Sequence, residues 1–224
     1  MPTGVDLLAL VDVGLAVPDV DAVARFLCEH LGMHELDRSR DRAVLGAGDG
    51  AATLSLARAE GPREAGALRR LVLRVADVER AAAALPAGTP VEGDLIERAG
   101  FTGPAGIGFG FTLVAGGGID YDIDHVDLRV RDLELTRVAL AEAGFVPRAQ
   151  ALHVADKYIA LAPGGAGGAE RPLLDHIALR VASLEAVVAG ASARGLEIGE
   201  PAAGEALAVV LPGPERLRLR FVSR

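Results

Sequence analysis

Short segments with alternating apolar positions recur along the chain, and a helical pattern follows each of them. The segments begin at Asp12, Arg70, His125 and His176, at intervals of 58, 55 and 51 residues. Alternation of this kind is typical of a β-strand with one buried face. The regular spacing indicates that the chain is built from four copies of one unit.

Each strand segment ends at a residue suited to begin a helix. Asp or Ser at these positions can accept a hydrogen bond from a free backbone N–H of the first helical turn. The four predicted caps are Asp19, Asp77, Asp132 and Ser183. Glycine closely follows each predicted helix, as expected at a helix end. The predicted helices are Val20–Leu31, Val78–Leu85, Leu133–Ala143 and Leu184–Arg194.

Further strand-like runs follow every helix, so the predicted unit is βαβββ. These runs are Ala43–Leu45, Thr53–Ala57, Phe109–Val114, Ala151–Val154, Tyr158–Leu161, Leu207–Leu211 and Leu217–Val222. The predicted fold class is α+β, with consecutive units paired into two tandem domains whose curved mixed sheets form cups. Gly116–Gly118 sets the expected boundary between a first domain, 1–116, and a second domain, 117–224. Gly164–Gly168 is expected to link units three and four.

Composition narrows the class of protein. Half of the residues are hydrophobic and only 4% are aromatic, which predicts an aliphatic core. The net charge of −8 and the lack of a basic stripe argue against a nucleic-acid partner. A single cysteine, Cys28, provides no disulfide framework. The N-terminus does not read as a signal peptide, and no apolar run suggests a membrane partner, so the expected location is the cytoplasm.

The first strands of units three and four share a motif that is specific for a fold family. They read Asp-His-Val-Asp-Leu-Arg-Val from Asp124 and Asp-His-Ile-Ala-Leu-Arg-Val from Asp175. A paired βαβββ unit with this strand resembles the vicinal oxygen chelate superfamily, which includes glyoxalase I, bleomycin-resistance proteins and extradiol dioxygenases. The resemblance covers essentially the whole chain. It is informative about the fold and uninformative about the reaction, because one fold hosts many chemistries.

The resemblance implies a mononuclear metal site in the second domain. In the family's two-domain dioxygenases, two first-strand histidines and a last-strand glutamate hold the metal, and His125 and His176 match the histidines. Arg218 stands where the glutamate belongs, and a guanidinium has no lone pair to give to a metal. The candidates for a third ligand are therefore His153 and Asp127. Iron, zinc, manganese and nickel all suit such a site, and a cup without metal is equally compatible with the sequence.

No metal site is expected in the first domain. Asp12 and Arg70 take the places of the two histidines there, and Ser55 and Thr112 fall near the carboxylate positions. An ion pair between Asp12 and Arg70 across the cup is one alternative to a metal.

Strand alternation also predicts which side chains face a cup. Val126, Leu128, Val130, Ile177, Leu179 and Val181 are expected to face the helices, which leaves His125, Asp127, Arg129, His176, Ala178 and Arg180 for the cup. Arginine suits carboxylate or phosphate through its planar fork of donors. The predicted ligand contacts are Arg218, Arg129, Arg180 and Tyr158.

Three functional hypotheses follow. The first is a metal-dependent enzyme of the dioxygenase, isomerase or lyase type, with no catalytic residue assigned. The second is a metal-independent protein that binds or sequesters a small molecule, and the third is a scaffold without a ligand. We favour a small, anionic ligand in the cup of the second domain and leave catalysis open. Exposed strand edges make a homodimer an expected partner state.

Overall fold

One arrangement of secondary structure repeats four times in the computed structural model, which describes residues 5–48, 52–114, 121–164, 169–202 and 206–223. Unit one comprises β1 (Leu7–Val17), α1 (Val20–His30), β2 (Met33–Arg38), β3 (Arg42–Ala47) and β4 (Thr53–Arg58). Unit two comprises β5 (Leu68–Val75), α2 (Val78–Ala83), β6 (Val91–Gly93), β7 (Arg98–Thr102) and β8 (Gly108–Leu113), with a 3₁₀ turn at Pro104–Gly106. Unit three comprises β9 (Asp122–Val130), α3 (Leu133–Glu142), β10 (Val146–Arg148), β11 (Ala151–Val154) and β12 (Lys157–Pro163). Unit four comprises β13 (Leu174–Val181), α4 (Leu184–Ala193), β14 (Glu197–Ala202), β15 (Ala206–Val210) and β16 (Arg218–Val222).

All four predicted helix caps are formed. In each, the side-chain oxygen of the cap accepts a hydrogen bond from the backbone N–H three residues later. The capping residues are Asp19, Asp77, Asp132 and Ser183. Because the cap satisfies one of the free donors of the first turn, the helix begins directly after the strand. Among the described helices, none has both the length and the apolar character needed to span a bilayer.

The strands form two mixed, eight-stranded sheets. One has the strand order β14-β15-β16-β13-β1-β4-β3-β2 and joins units one and four. The other has the order β10-β11-β12-β9-β5-β8-β7-β6 and joins units two and three. We call these the one–four sheet and the two–three sheet. The predicted α+β class with curved mixed sheets is confirmed.

The predicted pairing of consecutive units into domains 1–116 and 117–224 is wrong. At the centre of each sheet, the first strands of the two partner units run antiparallel, β1 beside β13 and β5 beside β9. All four first strands carry similar alternation, so the repeat specifies the unit without specifying its partner. Residues 116–118, where the boundary was predicted, lie outside the described residues, as do residues 165–168 of the second glycine-rich stretch.

The chain passes between the sheets through two adjacent segments. It leaves the one–four sheet after β4 and returns to it just before β13. The backbone N–H of Glu64 donates to the carbonyl of Arg171 at 3.0 Å, and the N–H of Leu173 donates to the carbonyl of Glu64 at 2.8 Å. These bonds tie the outgoing and returning segments together, so the two crossovers act as one connection.

The first strands bury the face that their alternation predicts. Val126, Leu128 and Val130 in β9 are fully buried in the hydrophobic core. Ile177, Leu179 and Val181 occupy the equivalent positions of β13 and are also buried. The opposite face of each first strand is therefore left to line a cup.

The few aromatic residues are concentrated where unit one meets unit two. The ring of Phe26 on α1 lies 6.4 Å from that of Phe101 and 6.1 Å from that of Phe109, measured between centroids. Phe101 also contacts Phe109 and Phe111, at 5.8 Å and 5.2 Å. Aromatic pairs contribute about 0.5–1.5 kcal/mol beyond the burial of their area. The aliphatic interior is thus supplemented by one aromatic cluster that holds α1 against the two–three sheet.

Replacing Phe109 with alanine tests how much this cluster contributes to the stability of the fold. Phe109 is fully buried, so Phe109→Ala should lower the free energy of unfolding by about 3–5 kcal/mol, measured by urea denaturation. The control is Val138→Ala on the exposed side of α3, which should change that free energy by less than about 0.5 kcal/mol. Equal losses in the two variants would contradict the role given to the cluster.

Candidate functional site

The two histidines of the sequence motif lie in different cups. His125 on β9 lines a cavity of about 290 Å³ in the two–three sheet. His176 on β13 lines a cavity of about 160 Å³ in the one–four sheet. The prediction that these two side chains share a metal is therefore wrong, because the pairing of the units places them in separate sheets. We call the two concave faces the two–three cup and the one–four cup.

In the one–four cup, the ring of His176 lies between two carboxylates. Its Nδ1 is 2.8 Å from Oδ2 of Asp175, and its Nε2 is 3.1 Å from Oδ2 of Asp12. The hydroxyls of Thr53 and Ser55 also donate to Asp12, each at 2.6 Å. With 6% of its surface exposed, His176 is a buried part of this network.

Gly14 explains why the His176 ring turns toward unit one. The two residues are direct neighbours across the β1–β13 pair. A Cβ added at Gly14 would lie only 2.1 Å from Cε1 of His176. The absence of a side chain at this position lets the ring lie over the backbone of β1, where it reaches Asp12.

In the two–three cup, the ring of His125 is also held between two carboxylates. Nδ1 is 2.7 Å from Oδ2 of Asp124, and Nε2 is 3.3 Å from Oδ1 of Asp127. Val72 is its neighbour on β5 and occupies the position that Gly14 holds in the other cup. The ring instead stacks on Tyr158 of β12, with 4.2 Å between centroids.

These contacts favour the protonated form of both histidines. A carboxylate can only accept hydrogen bonds, so a ring with a carboxylate at each nitrogen needs both nitrogens as donors. Burial alone lowers the pKa of His125, but the hydrogen bonds to Asp124 and Asp127 outweigh it and raise that pKa. For His176, the hydrogen bonds to its two carboxylates likewise outweigh burial and raise the pKa.

Two neighbouring groups are also shifted. The hydrogen bond from His176 lowers the pKa of Asp175, and Arg218 and Arg220 act in the same direction against burial. Burial raises the pKa of Tyr158 to about 12, with a further contribution from Asp124. Tyr158 therefore keeps its hydroxyl proton at neutral pH and can donate a hydrogen bond.

The residues of neither cup fit the divalent metal that the resemblance implies. In the part of the chain that the structure describes, no three His, Cys, Asp or Glu side chains are placed to hold a metal ion. An imidazolium has no lone pair for a metal. Arginines also line both cavities, Arg220 in the one–four cup and Arg70 with Arg98 in the two–three cup, and they oppose a bound cation.

The predicted third ligands have other contacts. Asp127 is bonded to His125, as described above. His153 stacks on Tyr158 at 5.1 Å between centroids and lies on β11, beside the cup-lining strand β12. The set His125, His176, His153 and Asp127 is thus divided between two sheets and does not converge on one point.

The two–three cup carries an excess of arginine. Arg69, Arg70 and Arg98 line the cavity that contains His125. An adjoining cavity of about 420 Å³ shares Arg69 and Arg70 and adds Arg129. Arg70 is bonded to Glu92 at 2.9 Å. In the described ranges Arg69 and Arg129 have no ion-pair partner, and Asp94 is the charged neighbour of Arg98.

Gly100 on β7 gives the Arg70 guanidinium its place in the cup. A Cβ added at Gly100 would lie 2.6 Å from Cζ of Arg70. The guanidinium therefore lies across a strand position that has no side chain, and Glu92 holds one of its nitrogens. This arrangement fixes a positive group on the floor of the cup.

The predicted ligand contacts are distributed over both cups. Tyr158 and Arg129 line the two cavities of the two–three cup. Arg218 donates to Asp175 at 3.0 Å and lines a different cavity of about 300 Å³ in the one–four sheet. Arg180 lines none of the cavities described above. The cavity beside His176 is lined by Arg220, which pairs with Ala178 across β13 and β16.

The alternative ion pair between Asp12 and Arg70 is wrong for the same reason as the shared metal. Asp12 bonds His176 in one sheet, and Arg70 bonds Glu92 in the other. Arg98 was missed from the sequence because no strand was predicted before Phe109 in unit two. The alternation of Ala99, Gly100 and Phe101 was the available signal for β7.

Comparisons with known proteins agree with this fold. Residues 9–112 match the model of the Glyoxalase/Bleomycin resistance protein/Dioxygenase superfamily. Glyoxalase I from Zea mays is 20% identical with a TM-score of 0.71, over 96% of this chain and 92% of that one. A candidate dioxygenase from Bacillus subtilis is 13% identical with a TM-score of 0.76, over 98% and 86%. The cppA protein from Streptococcus pneumoniae TIGR4 is 14% identical with a TM-score of 0.66, over 99% and 100%. No curated protein sequence matches the chain.

The two cups and the repeated βαβββ unit define a tandem, four-unit protein of the vicinal oxygen chelate fold. The superfamily model matches units one and two of the chain, and the fold of the chain is similar to that of glyoxalase I. At the identities above, the likeness to the solved structures is one of fold alone.

Substituting Gly14 tests the link between this glycine and the position of His176. In Gly14→Ala the added Cβ must displace the ring, which should break the contact between Nε2 and Asp12 and lower the pKa of His176, measured by NMR titration. The control is Gly190→Ala within α4, where the nearest atom to an added Cβ is 3.5 Å away. An unchanged His176 titration in Gly14→Ala would contradict this account.

The stability that His176 contributes should depend on pH. Its pKa is raised on folding, so the contribution is complete below the unfolded-state pKa of about 6.5 and is lost as pH rises through the folded-state pKa. The difference in unfolding free energy between wild type and His176→Gln should therefore be larger at about pH 6 than at about pH 9. The control is His34→Gln, at an exposed position, for which the same difference in unfolding free energy is measured at both pH values. A difference that grows with pH would overturn the assignment.

Proposed function

We propose that this protein binds a small organic anion in the two–three cup, without a metal ion. The observation that carries the proposal is the lining of the 290 Å³ cavity by Arg69, Arg70, Arg98 and His125. The one carboxylate among its lining residues, Asp127, is already bonded to His125. The positive charge of the cavity thus exceeds its negative charge and is available to a ligand.

The electrostatics of the whole chain make this excess informative. The chain has a net charge of −8, yet four arginines line the two cavities of this cup. A cleft lined by charge of one sign concentrates ligands of the opposite sign. The planar fork of a guanidinium matches a carboxylate with two parallel hydrogen bonds. A carboxylate is therefore the anionic group that the cup suits.

The remaining walls suit the apolar part of an organic ligand. Val72 and Ala160 line the same cavity, together with the ring of Tyr158. Small-molecule sites usually combine apolar walls with a few oriented polar groups. A ring or a short aliphatic chain that bears a carboxylate meets both requirements.

The one–four cup is less suited to an anion. Arg218 and Arg220 both contact Asp175, at 3.0 Å and 3.3 Å. The His176 ring is bonded to Asp12 and to the same Asp175. Arg42 also lines the cavity beside His176, but the other charges of this cup are compensated from within, and this cavity is the smaller one.

Isothermal titration calorimetry with benzoate and its neutral analogue benzamide tests the proposal. Benzoate should bind at least about tenfold more tightly than benzamide, because charge-assisted hydrogen bonds contribute about 1.5–3 kcal/mol. Arg98→Gln should weaken benzoate by a similar free energy. Arg148→Gln, an exposed arginine on β10 outside the cavities, should leave it unchanged.

The same protein is used to test whether binding requires a metal ion. Elemental mass spectrometry measures its metal content before and after treatment with EDTA, and benzoate is titrated in both states. Equal affinities support binding without metal. Binding that requires added zinc, iron or manganese, or equal affinities for benzoate and benzamide, would refute the proposal.

A further inference from the structure

The two–three cup contains two adjoining cavities that meet at a pair of arginines. Arg69 and Arg70 line both of them. Arg98 lines the cavity of about 290 Å³, and Arg129 lines the cavity of about 420 Å³. The cup is therefore a site of two parts. A positive group lies at each end, and two further arginines lie where the parts meet.

The strand register places the two end arginines far apart along the cup. Arg98 lies level with Arg74 of β5, since both pair with the same residue of β8. At the other end, the backbone N–H of Arg129 donates to the carbonyl of Ala67, just before β5, at 2.8 Å. About 23 Å of backbone separates these levels, at roughly 3.3 Å per residue. Arg70 lies between them.

The two carboxylates that line the cup are bonded to other side chains within it. Asp127 is bonded to His125, and Glu92 is bonded to Arg70. In the described ranges Arg129 has no ion-pair partner, and the charged neighbour of Arg98 is Asp94, whose pKa the positive charge of Arg98 helps to lower. A ligand with a single carboxylate neutralises one end and leaves the other without a partner.

Apolar residues line the space that leads from one end to the other. Val72 and Ala160 line the first cavity, and Ala65 and Pro90 line the second. A polar chain between two anionic groups would lose hydrogen bonds to water against these walls. An apolar spacer avoids that loss.

We infer that the two–three cup is specific for an elongated dicarboxylate with an apolar spacer, in which Arg98 binds one carboxylate and Arg129 binds the other. This inference rests on the proposed function and narrows its ligand class. Arg70, held by Glu92 and placed over Gly100, lies between the two ends. Arg129 is then the residue that distinguishes a dicarboxylate from a monocarboxylate.

Calorimetry with matched ligand pairs tests the inference. The dicarboxylates suberate, sebacate and dodecanedioate are compared with octanoate, decanoate and dodecanoate, which have the same chain lengths and one carboxylate. At the chain length that spans the cup, the dicarboxylate should bind at least about tenfold more tightly than its partner. Arg129→Gln should remove that advantage, so that the two members of the matched pair bind with similar affinity. Arg148→Gln should change none of these affinities.

The possible outcomes distinguish failure of this inference from failure of the proposed function. If neither benzoate nor any carboxylate binds, the proposed function fails. If benzoate binds but no dicarboxylate exceeds its matched monocarboxylate, the inference fails and the proposed function stands. An advantage that survives in Arg129→Gln also overturns the inference. Unfolding midpoints of both variants equal to that of wild type show that the lost affinity does not come from misfolding.

Discussion

The antiparallel pairing of first strands at the centre of each sheet determines the rest of this structure. It joins β1 to β13 and β5 to β9, and thereby decides which units share a cup. Through it His176 meets Gly14 and Asp12, whereas His125 meets Val72. The chemical difference between the cups therefore has two causes. One is the choice of which strands pair, and the other is the size of the residue opposite each histidine, which is glycine in one cup and valine in the other.

The cups show two ways in which one fold can balance charge without a metal. In the one–four cup, carboxylates, a buried imidazolium and two arginines satisfy one another, which leaves little for a ligand to neutralise. In the two–three cup, the histidine is satisfied by its own strand, and the arginines remain unpaired or oriented toward the cavity. Buried charges are tolerated when they are paired and hydrogen-bonded, so the first arrangement is a structural one. The second arrangement leaves positive charge that an anionic ligand can neutralise.

Local features of this fold could be predicted from the sequence because they have local causes. The caps at Asp19, Asp77, Asp132 and Ser183 and the buried alternation of β9 and β13 depend on a few neighbouring residues, and the structure contains all of them. The partner of each unit has no such local cause. Four similar first strands can pair in several ways, and the choice is made by long-range packing. The short strands β6 and β7 escaped prediction because glycine weakens the alternation there, and Arg98 was missed with them.

The crossovers that leave and re-enter the one–four sheet make units two and three a continuous insertion between units one and four. Units two and three are adjacent in the chain, so their sheet can close over a short connection. The one–four sheet must instead bring the first and last units together, which carries a larger loop-closure entropy and slows folding. During synthesis from the N-terminus, unit one must wait until unit four has left the ribosome. The cup with the free arginines can therefore assemble first, and the internally balanced cup closes the molecule last.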